Sequence, residues 1–319
     1  MAEKQTQLVA SENLSELDLS LLNKIADIEG EINGAYNIRK DTGCSGRANT
    51  ENITITSKED GHAGIDIRIK DGTKNECCHI PVIITESGIE ETVYNDFYIG
   101  DDCDITVIAG CGISNCGQDA SRHDGIHAFH IGKNSRVKYL EKHYGEGDGS
   151  GERVMNPETL VDIGENSVFD METSQIAGVD STERLTTINC AENAEVIVTE
   201  RLLTHGRQHA DSRLDIRLNG ENSKGRVVSR SVGQGESVQN FYPNITGNAA
   251  CFGHVQCDSI IMDSSCIASI PAITANHPEA QLIHEAAIGR IAGDQLLKMQ
   301  TLGLTEEEAE ERILKGFLA

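Results

Sequence analysis

A polar turn followed by a β-strand occurs three times in succession, as IGDDCDITVI (99–108), IGKNSRVKYL (131–140) and IGENSVFDME (163–172). The pattern continues in NCAENAEVIV (189–198) and LNGENSKGRVV (218–228), with a looser copy in MDSSCIASI (262–270). The turns recur at steps of 32, 32, 27 and 29 residues, counted between Asp102, Asn134, Asn166, Asn193 and Asn222. Asn tolerates the left-handed backbone of a tight corner, and stacked repeats share the core that no single repeat can form. The spacing predicts a β-solenoid with about thirty residues per repeat.

Further strand signatures lie on both sides of these copies. β-branched residues alternate or run together in ITIT (53–56), IDIRI (65–69), VIIT (82–85), ITVIA (105–109) and EVIVTE (195–200). A β-sandwich would also contain many strands, but it would not repeat one turn motif at nearly constant spacing. We therefore expect an all-β protein, a parallel β-helix over residues 46–272 with a helical region at each end, 1–45 and 273–319.

The two ends show helical periodicity. Near the N-terminus, apolar residues recur at steps of three and four, at Leu14, Leu17, Leu21, Ile25 and Ile28. Gly30 and Gly34 follow as signals that end the helix. Near the C-terminus Asp294 can cap a helix over residues 295–302, and Thr305 with Glu308 forms a capping box for a second helix. A two-helix tail has little core of its own. Its acidic face is therefore either simply solvated or part of a docking site for a partner.

Composition excludes several classes of function. The chain of 319 residues has 27 Lys and Arg against 51 Asp and Glu, a formal net charge of −24. Such a charge disfavours binding to the nucleic-acid backbone or to an anionic membrane surface. The sequence contains no P-loop motif and no apolar run of membrane-spanning length. With ten cysteines and no export signal at its start, we expect a cytoplasmic protein whose thiols stay reduced.

Thiol and imidazole groups are the notable chemistry of the chain. Cys111 and Cys116 flank a glycine-containing loop after a strand, and such pairs can hold zinc or an iron–sulfur cluster, although one pair is not a full ligand set. Cys190 follows a repeat strand. His284 and Glu285 adjoin the point where the strands end, where they could ligate iron or tie the tail to the solenoid by hydrogen bonds. Spacing alone does not decide between iron ligation and hydrogen bonding for His284 and Glu285. Core packing remains the alternative interpretation for each cysteine.

The C-terminal segment 257–319 resembles the core domain of the SufB/SufD family, scaffold components of the SUF machinery for iron–sulfur cluster assembly. The resemblance is carried by Cys257-Asp258-Ser259, His284-Glu285-Ala286, Gly289-Arg290-Ile291, Gln295-Leu296, Gly303-Leu304, Ala309 and Gly316-Phe317. It extends more weakly upstream to about residue 100, through SRSV (229–232) and AGC (109–111). The short chain is most similar to the compact SufB-like proteins that work with a single SufC-like ATPase.

This resemblance implies a fold and a set of partners. It implies a right-handed parallel β-helix that is not itself an enzyme, paired as a homodimer through the β-helix. It also implies docking of the C-terminal helices on a SufC-like ABC ATPase, for which we expect contacts from Gln295, Leu296, Leu304 and Phe317. The cargo would be a transient iron–sulfur cluster, and apo iron–sulfur proteins would receive it.

The resemblance also suggests site residues. It places Cys190 near the interior cysteine that receives sulfur in SufB, Glu285 at a SufB-type glutamate and His284 at a SufD-type histidine. A further SufB-type cysteine is expected about ten residues before the His-Glu-Ala turn, where Ala275 stands. We therefore expect cluster binding by Cys111, Cys116, Cys190, His284 and Glu285. Two other functions remain open, a polysaccharide-active β-helix enzyme and a structural zinc protein, although few aromatics and many thiols disfavour the former.

Overall fold

The computed structural model describes residues 6–8, 14–29 and 31–319, with side chains from residue 14 onwards. Most of the chain is a β-solenoid of about eight turns, built from two large sheets that face each other. The prediction of an all-β solenoid with short helices at the ends is therefore confirmed. Among the described residues, no helix is both long and apolar enough to cross a membrane.

The first sheet, which we call sheet I, has eleven strands. They are β5 (Ile53–Ser57), β6 (Gly64–Ile69), β8 (Glu90–Ile99), β10 (Ser121–Ile131), β12 (Arg153–Met155), β13 (Glu158–Ile163), β15 (Ser181–Cys190), β17 (His209–Leu218), β19 (Val238–Gly247), β21 (Cys266–Ser269) and β22 (Ala272–Ala275). Apart from the antiparallel pair β5–β6, neighbouring strands are parallel, because each is one solenoid turn further along the chain.

The second sheet, sheet II, has ten strands. They are β3 (Ala35–Lys40), β4 (Gly43–Ala48), β7 (Lys74–Ile84), β9 (Asp104–Ser114), β11 (Arg136–Glu146), β14 (Val168–Ala177), β16 (Glu195–Thr204), β18 (Lys224–Gly233), β20 (Phe252–Ile261) and β23 (Gln281–Gly289). A small separate sheet pairs β1 (Thr6–Leu8) with β2 (Glu31–Asn33). Sheet II ends at β23, whose outer edge is not paired with any described strand.

The repeated turns connect sheet I to sheet II and adopt the predicted backbone. All five anchors have positive φ between 54° and 59°. Asp263 of the looser copy is also left-handed, with φ of 52°, but its turn leads from β20 of sheet II to β21 of sheet I. The side-chain amides of four successive turns also bond to one another. Asn166 donates to Asn134 at 3.3 Å, Asn193 to Asn166 at 3.1 Å and Asn222 to Asn193 at 3.2 Å. This asparagine ladder runs along one edge of the solenoid.

The N-terminal helix α1 (Glu16–Ala26) packs on the outer face of sheet II, over β7, β9 and β11. A capping box at Ser15 and Asp18 begins it, and Asp27 in the left-handed conformation ends it. The predicted stop at Gly30 lies outside the described residues. At Gly110 an added Cβ would lie 2.6 Å from the carbonyl oxygen of Ile25, so only glycine allows the helix to approach this closely.

Two helices, α2 (Gly293–Thr301) and α3 (Glu306–Leu318), follow the last strand. The capping box at Thr305 and Glu308 is present as predicted, whereas α2 begins after Ala292 and has no side-chain cap from Asp294. Strands extend further into both ends than the expected helical regions allow. β1, β2, β3 and part of β4 fall within 1–45, and most of β22 and all of β23 fall within 273–319. β3, β22 and β23 pair with a strand of a large sheet, β4 pairs with β3, and β2 pairs with β1. Local periodicity does not reveal these partners.

Candidate functional site

The interior of the solenoid is divided lengthwise into an apolar half and a polar half. Beside the asparagine ladder, sheet I contributes one apolar residue per turn, in register: Phe97, Phe129, Val161, Ile188, Ile216 and Ile245. Further along the strands of sheet II the inward positions are polar, again in register: Glu141, Thr173, Glu200, Ser229 and Cys257. The polar half therefore runs through several turns and ends at Cys257, close to the open edge.

A buried ion pair lies in the middle of the polar half. The Arg184 guanidinium donates to the Glu141 carboxylate and also lies 3.2 Å from His143 Nδ1. Burial alone would raise the pKa of Glu141, but Arg184 and His143 outweigh it and hold that pKa well below its ordinary value. Glu200 lies 3.9 Å from the same guanidinium and accepts hydrogen bonds from the hydroxyls of Ser212 and Ser229. Arg184, Glu141 and Glu200 thus satisfy one another, whereas Thr159 Oγ1 and Gln239 Oε1 are buried without a hydrogen-bond partner among the described residues.

At the open end, Cys257 and His284 form a close pair. Cys257 Sγ lies 3.4 Å from His284 Nε2, on the neighbouring strands β20 and β23. Burial raises the pKa of the Cys257 thiol to about 11 and lowers the pKa of His284. In the absence of a cation, the pair is therefore a neutral thiol and a neutral imidazole. A soft metal would bind both atoms after the thiol loses its proton.

Glu285 takes part in a second pair on the other face of the same two strands. Its Oε2 lies 3.5 Å from His254 Nε2. Adjacent residues of a strand point to opposite faces, so His284 is directed to the lumen and Glu285 away from it. Sequence proximity therefore does not make His284 and Glu285 neighbouring ligands within one chain.

The structure separates the three predicted cysteines. Cys111 is buried in the lumen near the end of β9, where burial, Glu91 and Glu141 raise its pKa well above that of a free thiol. Cys116, in the following loop, is exposed. Cys190 ends β15 in the apolar half, between Ile163 and Leu218 in register, and burial raises its pKa to about 12. Cys190 directly precedes a ladder turn, whereas Cys111 lies towards the opposite edge.

The predicted docking residues are only partly exposed. Leu296, Leu304 and Phe317 are half-buried, and Gln295 is exposed. Two neighbouring leucines, Leu297 and Leu302, are more exposed to solvent than the predicted leucines, with exposed fractions of 59% and 74%. The backbone carbonyls of Phe317 and Ala319 accept hydrogen bonds from Arg230, which fixes the end of α3 on the outer face of sheet II.

Sequence reasoning missed Cys257 as a site residue, although a signal for it was available. Cys257 and His284 are 27 residues apart, one of the repeat steps, and residues one repeat apart occupy neighbouring turns. The Glu141–Arg184 pair was missed because its members are 43 residues apart and lie on different sheets. Within residues 14–29 and 31–319, no three His, Cys, Asp or Glu side chains are already gathered closely enough to hold a metal ion.

Comparison with known proteins agrees with these findings. The family model described as "SUF system FeS cluster assembly, SufBD core domain" matches residues 92–317. The chain is 28% identical over 285 residues to an iron–sulfur cluster assembly SufBD family protein of Methanocaldococcus jannaschii, covering 84% of this chain and 85% of that one. It is 26% identical over 274 residues to a SufBD family protein of Archaeoglobus fulgidus, covering 85% and 72% of the two chains.

A third relative, from Methanothermobacter thermautotrophicus, is 25% identical over 279 residues, and the match covers 85% of this chain and 66% of that one. The family model covers well over half of the chain, and its matched region contains the polar half of the lumen together with Cys257 and His284. The chain therefore belongs to the SufBD family of iron–sulfur cluster assembly proteins.

Proposed function

We propose that this protein is a scaffold on which iron–sulfur clusters are assembled and from which they are transferred, without turnover of an organic substrate. The observation that carries the proposal is the Cys257–His284 pair, 3.4 Å apart at the open end of the solenoid. Thiolate and imidazole are both ligands of iron–sulfur clusters. Membership in the family supports this role.

One chain offers too few ligands at this end, so we propose that two copies act together. The unpaired edge of β23 presents backbone groups that can pair with a second strand. Exposed apolar side chains surround this edge, at Ile270, Ile273, Ile283 and Ile288. A two-fold pairing of these edges would bring two Cys257–His284 pairs towards one cluster.

We further propose that α2 and α3 dock on a SufC-like ABC ATPase. The exposed Leu297 and Leu302 support a docking role, because no residue of α2 is buried against the solenoid. ATP-driven movement of the helices would favour one arrangement of the scaffold pair over another, which requires that the ATPase bind the two arrangements with different affinity. All ten cysteines are free thiols, which supports a reducing cytoplasm as the site of action. The acceptors would be apo iron–sulfur proteins.

Anaerobic reconstitution with iron and sulfide tests the scaffold role. We expect the protein with its ATPase to take up iron and sulfide in stoichiometric amounts and to show sulfur-to-iron charge-transfer absorption. Cys257→Ser and His284→Ala should abolish or strongly reduce that absorption. Cys116→Ser, which removes an exposed thiol of the same chain, is the matched control and should leave it unchanged. Equal uptake by the Cys257→Ser variant would overturn the proposed site.

A further inference from the structure

A second group of possible ligands lies inside the lumen, in a part that the proposed cluster site does not use. His123 and His127 are buried on β10, on the same face of the strand and on either side of Gly125. His123 Nδ1 lies 3.1 Å from a carboxylate oxygen of Glu91, and His127 Nδ1 lies 2.6 Å from the hydroxyl of Tyr139. These contacts fix the orientation of both rings, as partners of metal-binding histidines commonly do.

The other nitrogens of the two rings converge. A Cβ placed on Gly125 would lie 3.2 Å from His123 Nε2 and 3.3 Å from His127 Nε2. The space in front of them is a cavity of about 10 Å³, which Cys111, Glu141 and His143 also line. It is comparable to the space that a single water molecule or ion needs. Both imidazoles therefore point at one small space that the lack of a side chain at residue 125 leaves open.

The charges around this space favour a cation. Glu141 lines the space and Glu91 contacts His123. Together with Glu200, which lies two strands further along the lumen, these carboxylates are paired with only two guanidinium groups, those of Arg39 and Arg184. One net negative charge remains among these five groups, all of which are largely or fully shielded from water. A divalent ion bound to one thiolate would add one net positive charge and balance it. An anion would increase the imbalance in a medium that screens charge poorly.

We propose that the lumen binds one divalent transition-metal ion between His123, His127 and Cys111. The two imidazoles are already in place, and the Cys111 thiol completes the site by rotation about its Cα–Cβ bond. On binding, the metal–sulfur bond replaces the S–H bond and one proton is released. This site is distinct from the Cys257–His284 pair and does not depend on it.

Titration with Co²⁺ under anaerobic conditions tests the proposal, in full-length protein that carries Cys257→Ser so that the open end does not contribute. We expect one Co²⁺ per chain, with the visible bands of a low-coordinate site and sulfur-to-cobalt charge transfer. Adding Cys111→Ser should remove the charge transfer. Absence of binding, or binding that His127→Gln leaves unchanged, would overturn the proposed site.

Gly125→Ala is the sharpest variant because it removes no ligand. Its methyl group would occupy the point between the two Nε2 atoms, and the residue is not in the left-handed region. We expect the affinity for Co²⁺ to fall at least tenfold while far-UV circular dichroism and the thermal midpoint stay close to those of the parent. His130→Ala, on the exposed face of the same strand, is the control and should bind normally. Normal binding by a folded Gly125→Ala variant would place the ion elsewhere and overturn the proposal.

Discussion

Buried polar residues determine the character of the lumen, and most of them have a partner. Arg184 links Glu141, His143 and Glu200 across the two sheets. A charged group left alone in such surroundings is strongly destabilising, whereas a complete pair is close to neutral in stability. These residues therefore have to be considered as a set rather than one at a time.

Replacing Arg184 with Met should show this dependence. We expect a loss of about 3–5 kcal/mol in the free energy of unfolding, because Glu141 and Glu200 would remain buried without their cation. The double variant Arg184→Met/Glu141→Gln should recover a large part of the loss. Arg217→Met, which breaks the exposed pair with Asp215, is the control and should change stability by less than about 1 kcal/mol. Urea unfolding measures all three, and equal losses for Arg184 and Arg217 would contradict the assignment.

Thiol reactivity should follow the position of each cysteine. Cys44, Cys116 and Cys266 are exposed, whereas burial raises the pKa of Cys78 and Cys190 to about 12. A thiol with that pKa has a thiolate fraction of about 10⁻⁵ at pH 7, and only the thiolate reacts with alkylating reagents. We expect the exposed three to be modified first, as mass spectrometry of the native protein would record. Early modification of Cys190 would show that the apolar half is open to solvent.

At the scale of elements, the left-handed corner of each repeated turn is the feature that the sequence predicted best. The recurrence of Asn at turn anchors indicated a left-handed residue at each corner, and the structure has one at every anchor. What the spacing did not indicate is that the side chains bond to one another along the edge. Each Asn anchor therefore has two roles. Its backbone forms the corner of its own turn, and its side-chain amide bonds to the anchor of the neighbouring turn.

Two substitutions at Asn166 separate these roles. Asn166→Gly keeps the left-handed corner and removes two amide hydrogen bonds, so it should destabilise the protein by only a few tenths to 1 kcal/mol. Asn166→Ala removes the same bonds and keeps a Cβ in the left-handed region without the polar side chain that lets Asn tolerate it, which adds about 1–2 kcal/mol relative to Gly. Urea midpoints of the two variants test the order. Both variants lack the ladder bonds, so a Gly variant that proved the more disruptive of the two would show that the left-handed corner does not set the cost at this position.

The helices α2 and α3 were predicted from periodicity and caps, but the strands before them were not. The segment 272–275 is exposed, and 281–289 lacks a sustained run of β-branched residues. Both become strands because the preceding turn presents a sheet edge to them. Local propensity is weak there, and the tertiary partner decides the structure.

The exposed leucines Leu297, in α2, and Leu302, directly after it, should matter for partner binding rather than for folding. We expect Leu297→Asp/Leu302→Asp to abolish co-purification with the SufC-like ATPase while the thermal midpoint of the scaffold changes little, since neither side chain is buried. Leu160→Asp, at an exposed leucine on sheet I, is the control and should retain the ATPase. Retention by the double variant would mean that the ATPase docks on another surface.

On the scale of the whole molecule, the sequence revealed the solenoid but not what its interior contains. Repeat spacing shows which residues are neighbours within one sheet, as for Cys257 and His284. It does not show which residues of the two sheets face each other, so the contact between Arg184 and Glu141 could not be predicted. For the same reason Cys111 and Cys190 were grouped together, although they lie towards opposite edges of the solenoid. The candidate site was therefore predicted at His284 and missed at its thiol partner.

The two ends of the solenoid differ, and this difference leads to a prediction about assembly. At the first end, β4 and β5 close the sheets with antiparallel pairs. At the last end, the outer edge of β23 is paired with no strand among the described residues, and exposed isoleucines lie around it. Lysine on such an edge opposes pairing with another strand. We therefore expect Ile283→Lys/Ile288→Lys to shift the protein from dimer to monomer in light scattering and to reduce cluster loading in parallel. Ile176→Lys places one such charge at an exposed isoleucine away from that end and should leave the dimer intact. A monomeric protein that loads clusters fully would separate assembly from dimerisation and restrict the ligand set to one chain.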